Sequence, residues 1–314
     1  MRPNQAVISQ MASEIRIGAA SVLFAMTIAA PGTALAQGAP TFFPFLTSDF
    51  SEIETKYIFG FLDGADIGLE GEKAIEFETN ANFRRRQGRF SAIEQEVAFE
   101  HVLTQNFAYE FAVHGTAHRV KDDESLADKS IVRWSGLSAK FRYLVLGRGP
   151  ESPVGLTFSV EPEWSRVDGG QGTATRSFEA VFKAVADTEL VANRVYAAAN
   201  LSYAPEWEKA VGDPQWQRST TFGAGLALAA RFTPQVTVGA AGEYFLAYDS
   251  LGFGAFQGRS FYLGPTLHIQ IARKIMMAAA FSTQVAGHAL ADDRRLDLSN
   301  FSRHRARLKV EYEF

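Results

Sequence analysis

Cysteine is absent from the 314 residues. That excludes a disulfide framework, a thiolate metal site and a cysteine nucleophile. Long uncharged apolar runs are also missing. Beyond the first 40 residues none reaches the ~18 needed for a bilayer-spanning helix, so a helical transporter is excluded. Positive charge is not in excess: 31 Lys and Arg stand against 35 Asp and Glu, for a formal net charge of −4. Such a chain has no electrostatic case for nucleic acid. Tryptophan is scarce, at 4, whereas phenylalanine reaches 26 and hydrophobic residues make up 46%. This is not the composition of a disordered chain. Apolar residues this abundant, without long apolar runs, must be interleaved with polar ones on a fine scale.

The first segment reads as an address. Arg2 and Arg16 precede the short apolar stretch Ile17 to Ala30, Pro31-Gly32 breaks it, and Ala34-Leu35-Ala36 is a small-x-small exit. Basic, apolar and small-residue regions in that order predict a cleavable signal peptide over 1–36.

From about Lys73 the period is two. Ile75, Phe77, Thr79, Ala81 and Phe83 share one face, and Glu76, Glu78, Asn80, Asn82 and Arg84 the other. Successive strand residues point to opposite faces, so each such segment is an amphipathic strand. About twelve are predicted: 73–86, 90–103, 107–120, 131–147, 153–166, 175–188, 191–204, 217–232, 235–248, 259–272, 275–288 and 303–314. Each exceeds the ~9–11 residues that a tilted strand needs to cross a bilayer, whereas soluble strands run nearer ~5–6. Tight connections such as 104–106, 233–234 and 273–274 alternate with mostly longer ones at 121–130, 167–174, 204–215, 249–256 and 289–302. That alternation predicts a transmembrane antiparallel β-barrel over 73–314. Aromatics fall near both strand ends: Phe107, Tyr109, Tyr143, Phe232, Tyr312 and Phe314 at one, Trp164, Tyr203, Tyr244 and Tyr248 at the other. These positions suit two headgroup girdles.

The last ten residues, Arg305 to Phe314, alternate without a break and end on phenylalanine. Together with the signal peptide and the alternating strands, this resembles the bacterial outer-membrane β-barrel superfamily, in a porin-like form. The resemblance covers essentially the whole chain and specifies no subfamily. It implies a Gram-negative cell outer membrane as the destination, export and barrel-assembly machinery as partners, and Tyr312 and Phe314 as part of an assembly signal.

The inward face is predicted to be heavily charged. Carboxylates crowd the first three strands and cations the fourth and twelfth, which flank that wall once the barrel closes. Turns centred near Gly88, Gln105 and Ser125 set Glu76 opposite Glu100, Glu100 opposite Glu110 and Glu110 opposite Lys140. Lys309 or Arg307 would stand beside Glu76. With Arg142, these seven are the candidate lumen and selectivity residues. The row reads either as a solvated, internally paired lumen or as a selectivity ring.

No catalytic, metal or cofactor site is expected. None of the six histidines has serine two residues on, the arrangement that barrel lipases and deacylases use. His114 and His118 share a face but lie about 13 Å apart at ~3.3 Å per residue, too far to hold one ion. Residues 37–72 do not fit the strand count. The apolar run Lys56 to Leu62 would make a thirteenth strand, an odd number that such barrels avoid. The segment is therefore read as a periplasmic arm or a lumen insert, since its apolar residues need a dry partner. The leading expectation for function is a narrow channel for small hydrophilic solutes or ions, set in outer-membrane lipid. The alternative is a plugged, non-transporting barrel with a structural, adhesion or assembly role. A membrane hydrolase ranks last.

Overall fold

The computed structural model describes residues 53–85, 88–123, 127–149 and 151–314. The signal-peptide reading of 1–36 and the first part of the arm, 37–52, lie outside the described residues.

Alternation of apolar and polar residues gives twelve strands: β1 (Lys73–Phe83), β2 (Arg89–Thr104), β3 (Phe107–Lys121), β4 (Lys129–Leu146), β5 (Val154–Val167), β6 (Ala174–Val191), β7 (Val195–Ala210), β8 (Gln217–Arg231), β9 (Val236–Tyr248), β10 (Phe256–Ala272), β11 (Ile275–Ala289) and β12 (His304–Glu313). Each pairs antiparallel with its sequence neighbours, and β1 also pairs with β12, so the sheet closes into a barrel with no free edge. No described helix is long and apolar enough to cross a membrane.

The two faces separate as the period demands. Outward residues such as Phe111, Leu201 and Leu226 are 54–70% exposed, whereas inward Glu76 and Glu110 are at most 2% exposed. An apolar outside around a charged, buried inside inverts the arrangement of a water-soluble protein and matches a barrel facing lipid. One end of the barrel carries the connections 105–106, 147–153, 192–194, 232–235 and 273–274, together with the start of β1 and the end of β12. There the Phe314 N–H donates to the Lys73 carbonyl at 2.9 Å. The opposite end carries 84–88, 122–128, 168–173, 211–216, 249–255 and 290–303. We call these the short-turn end and the long-loop end.

Two sequence expectations are corrected. The long connection expected at 204–215 shrinks to 211–216, because β7 continues to Ala210 with Pro205 carried inside it opposite Thr220. The first hairpin is also displaced. Phe83 pairs with Ser91, so the turn centres one residue before Gly88; Glu76 faces Ala98, and Glu100 faces Ala74. A shift of two in pairing leaves inside and outside unchanged but moves the carboxylates along the wall. The next two pairings, Glu100 with Glu110 and Glu110 with Lys140, fall where the turn centres put them.

Candidate functional site

Residues 53–68 lie against inward-facing side chains from opposite walls, in the short-turn half of the lumen. The contacts divide by chemistry. On one wall Ile58, Phe59 and Leu62 pack against Tyr196, Ala198, Ala227, Ala229 and Ala241. That wall is built of small residues, so the inserted chain can approach its backbone. A Cβ on Gly225 would stand 2.7 Å from Leu62, and one on Gly60 would stand 2.5 Å from Thr266 at a φ of +75°, which glycine adopts freely. Each buried large apolar side chain contributes roughly 1.5–3 kcal/mol.

On the other wall the contacts are ionic. The Lys56 ammonium, on a residue 2% exposed, meets carboxylates from three strands: Glu76 on β1 at 3.4 Å, Glu311 on β12 at 3.2 Å, and Glu100 on β2. The Tyr57 hydroxyl donates to Glu76 at 2.6 Å. Its ring has Lys309 at 4.2 Å, Lys56 at 4.5 Å and Arg142 at 5.6 Å from the centroid, close enough for cation–π attraction. Further along, Lys183 pairs with Asp63 at 2.8 Å, Arg148 meets Asp187 at 2.9 Å and Asp66 at 3.3 Å, and the Arg307 guanidinium donates to the Gly60 carbonyl at 2.8 Å. A buried charge that loses its partner costs several kcal/mol, so these pairs fix where the segment sits.

Five of the seven candidate lumen residues, Glu76, Glu100, Arg142, Arg307 and Lys309, belong to this network, and Glu110 and Lys140 form a separate group with Glu161. Glu76 is held by Lys309, Lys56 and Tyr57; Glu100 by Lys56 and, at 3.4 Å, Arg142. Glu110 meets Lys140 at 3.4 Å, and Lys140 also meets Glu161 at 3.2 Å. Arg307 binds Glu78 at 2.7 Å. In the β1–β12 register Glu311, not Lys309 or Arg307, is opposite Glu76; Lys309 is opposite Glu78 and reaches diagonally to Glu76, and Arg307 is opposite Asn80. The assembly-signal pair lies elsewhere: Tyr312 and Phe314 face outward, their rings stacked at 6.3 Å.

The long-loop half has a different character. Glu163 on β5 is directly opposite Glu179 on β6, which is directly opposite Glu206 on β7. Like charges in register repel unless something offsets them. Glu206 accepts only hydroxyls, from Ser177 at 2.7 Å and Ser219 at 3.2 Å. Among the described residues, Glu163 and Glu179 have no ion-pair or hydrogen-bond partner. The row borders a cavity of about 330 Å³ that Glu94, Glu208 and Asp168 also line. Above it the 168–173 connection folds over the mouth, its Gly169 carbonyl 3.0 Å from His118 Nε2 and its Gly170 carbonyl accepting from Arg85 at 3.2 Å.

Sequence reasoning selected the paired network and missed this row, because ending the seventh strand at residue 204 left Glu206 and Glu208 in a loop. It also left the partners supplied by 53–68 unassigned, since no periodicity shows which inward residues a non-strand segment will touch.

His114 and His118, both inward and buried, serve different neighbours, so they form no shared metal site. His114 Nε2 lies 2.9 Å from Ser138 Oγ, and its Nδ1 lies 3.3 Å from Glu94. That is the order of a serine–histidine–carboxylate triad. However, Ser138 is 7% exposed and sits inside the β-ladder, paired with Ala112 on one side and Glu163 on the other. Ser138's hydroxyl is thus nearly closed to solvent and its backbone lies within the ladder, unlike the accessible nucleophile and free oxyanion donors of acyl-transfer sites. Among the described residues, three carboxylate clusters are tight enough to consider for a metal: Glu76/Glu100/Glu311, Glu76/Glu96/Glu110 and Glu54/Glu72/Glu313. Lys56 already occupies the first.

Residues 51–314 match a family described as a family of unknown function, DUF6662. The chain belongs to that family. No curated protein matches the sequence. Among solved structures, this DUF6662 barrel is similar to an outer-membrane channel from Pseudomonas putida F1, at 12% identity and a TM-score of 0.55, over 80% of this chain and 98% of that one. It is also similar to the β domain of the Bordetella autotransporter BrkA, at 11% identity and 0.52, over 78% and 100%. A third is the translocator domain of the autotransporter NalP from Neisseria meningitidis, at 11% and 0.50, over 80% and 91%. At these identities the likeness is one of fold: the closed barrel of outer-membrane proteins.

Proposed function

We propose that this DUF6662 protein is an outer-membrane channel for small hydrophilic solutes whose short-turn half is closed by residues 53–68. The observation that carries the reading is the seating of Lys56 among Glu76, Glu100 and Glu311 from three strands. A non-covalent segment held chiefly by side-chain contacts can leave, and the wall behind it is polar enough to be wetted. The charged inner face and the likeness of fold to an outer-membrane channel support the same reading. The second reading, a non-transporting barrel, is favoured by the apolar seat of Ile58, Phe59 and Leu62, which resembles a permanent core. Planar-bilayer recordings separate the two. The full chain should conduct little, and a barrel lacking 53–68 should conduct readily. Silence from both assembled barrels would select the second reading.

Localisation follows the same proposal. Export would use the signal at 1–36, and the barrel-assembly machinery would read the outward Tyr312 and Phe314. Phe314→Ala should leave secretion intact and reduce the heat-modifiable barrel in the outer membrane. Unchanged levels at normal expression would make the terminal ring incidental.

A further inference from the structure

We infer that the cavity in the long-loop half is a binding site for a linear di- or polyamine. Its floor is the row Glu163–Glu179–Glu206, set across three adjacent strands. Glu94, Glu208 and Asp168 add three more carboxyl groups around the 330 Å³ space, and among the described residues that line it there is no lysine or arginine. Cationic groups around it are engaged: Lys183 and Arg305, which line an adjoining cavity that Glu179 shares, pair with Asp63 and Glu243. Arg85 donates to the Gly170 carbonyl and Lys129 to the Gln171 carbonyl, and His114 lies against Glu94. Asp168 is turned to its own loop and accepts the N–H groups of Gly170 and Gln171. The row itself is left with hydroxyl partners or none.

An independent observation points to a missing polar partner in the same place. Ser135 is 5% exposed, its Oγ has no hydrogen-bond partner, and it lines this cavity. A buried hydroxyl without a partner costs about 1–3 kcal/mol, and an N–H group in the cavity would satisfy it.

Shape selects among cations. A single metal ion needs carboxylate oxygens converging on one point, and the clusters that do converge lie elsewhere. Here the carboxylates step from strand to strand, about 5 Å apart. Amines separated by three or four methylenes repeat at nearly that spacing, and the slender chain between them suits a narrow polar cleft. Each ammonium would meet one carboxylate in a charge-assisted hydrogen bond. Binding would relieve the repulsion along the row.

The inference names a solute class for the proposed channel and, for transport only, rests on that reading; binding stands apart from it. The test is calorimetric titration of spermidine into the assembled full-length barrel, with n-butylamine and Mg²⁺ as comparison ligands. Saturable spermidine binding is expected, tighter than either comparison and weakened by added salt. Glu179→Gln should raise Kd about tenfold, the loss of one charge-assisted contact. Ser135→Val should raise it less. Glu151→Gln removes one carboxylate from the β4–β5 connection at the opposite end and should leave Kd unchanged. Heat-modifiability confirms that each variant is assembled. No saturable binding by the wild-type barrel would overturn the site, as would tighter binding of Mg²⁺ or equal losses in E179Q and E151Q. Binding, with no bilayer current from either the full-length barrel or the barrel lacking 53–68, would uphold the site and reject the channel.

Discussion

The two halves of the lumen are built from the same residue types and solve opposite problems. In the short-turn half nearly every carboxylate has a cation: Glu76 has Lys309 and Lys56, Glu78 has Arg307, Glu100 has Lys56 and Arg142, and Asp187 has Arg148. In the long-loop half Glu163, Glu179 and Glu206 line up with hydroxyls or nothing. The first half is neutralised from within by a segment of the chain itself. In the second, Arg305 pairs with Glu243 and His114 lies against Glu94, but the row Glu163–Glu179–Glu206 has no cation of its own among the described residues. A paired lumen is a device for holding something in place, and an unpaired one is a device for attracting something from outside.

The largest effect should come from breaking the paired half. Deleting 53–68 removes Lys56, Asp63 and Asp66 together, leaving Lys183 and Arg148 to face water. Single-channel recordings should change from rare openings to sustained current. Next is Lys56→Met, which leaves Glu76, Glu100 and Glu311 clustered at 3% exposure or less around an apolar side chain. An uncompensated buried charge costs about 3–5 kcal/mol, so the segment should unseat, read as faster proteolysis of 53–68 in the assembled barrel. Adding Glu100→Gln should recover part of that loss. Lys56→Met alone with unchanged protection would show that the apolar seat does the holding.

A smaller effect tests the unpaired half. Glu179→Gln should move the reversal potential of the 53–68 deletion barrel away from cation selectivity. The change should fade at 1 M salt, where the Debye length is ~3 Å. Smallest is Asp297, a fully buried carboxyl in the 290–303 loop whose partners are the Asn300 side chain and the N–H groups of Ser299 and Asn300. Burial pushes its pKa up. A carboxyl raised in the folded state is favoured protonated, so the loop should lose stability as pH rises from the unfolded value through the folded one. Asp297→Asn should flatten that dependence, measured by hydrogen exchange of the loop between pH 4 and 7.

Much of the fold was legible because a period of two carries through long strands, and an even error in register does not spoil it. The β1–β2 hairpin shows this. Its turn was placed one residue late, every residue kept its face, and only the row through Glu76 moved. Pro205 shows the limit. The expected seventh strand, 191–204, stops just before Pro205, yet β7 carries that residue, which lacks an N–H donor, and continues through Glu206 and Glu208. That one reading hid the acidic row. The partners of Lys56 were hidden for a different reason. A segment without periodicity has no register, and which carboxylates it reaches is decided by how the closed barrel places β1, β2 and β12 around it.

The central claim is that residues 53–68 gate the lumen, and a chain without cysteine allows a direct test. Ala65 lies beside Gly155 in the β4–β5 hairpin, 2.9 Å from where a Cβ would stand. A65C/G155C would therefore tie the segment to the wall after a small adjustment. The rare openings of this double variant under reducing conditions should vanish on oxidation. The same current in both states, or the same silence in both, would contradict a gating segment.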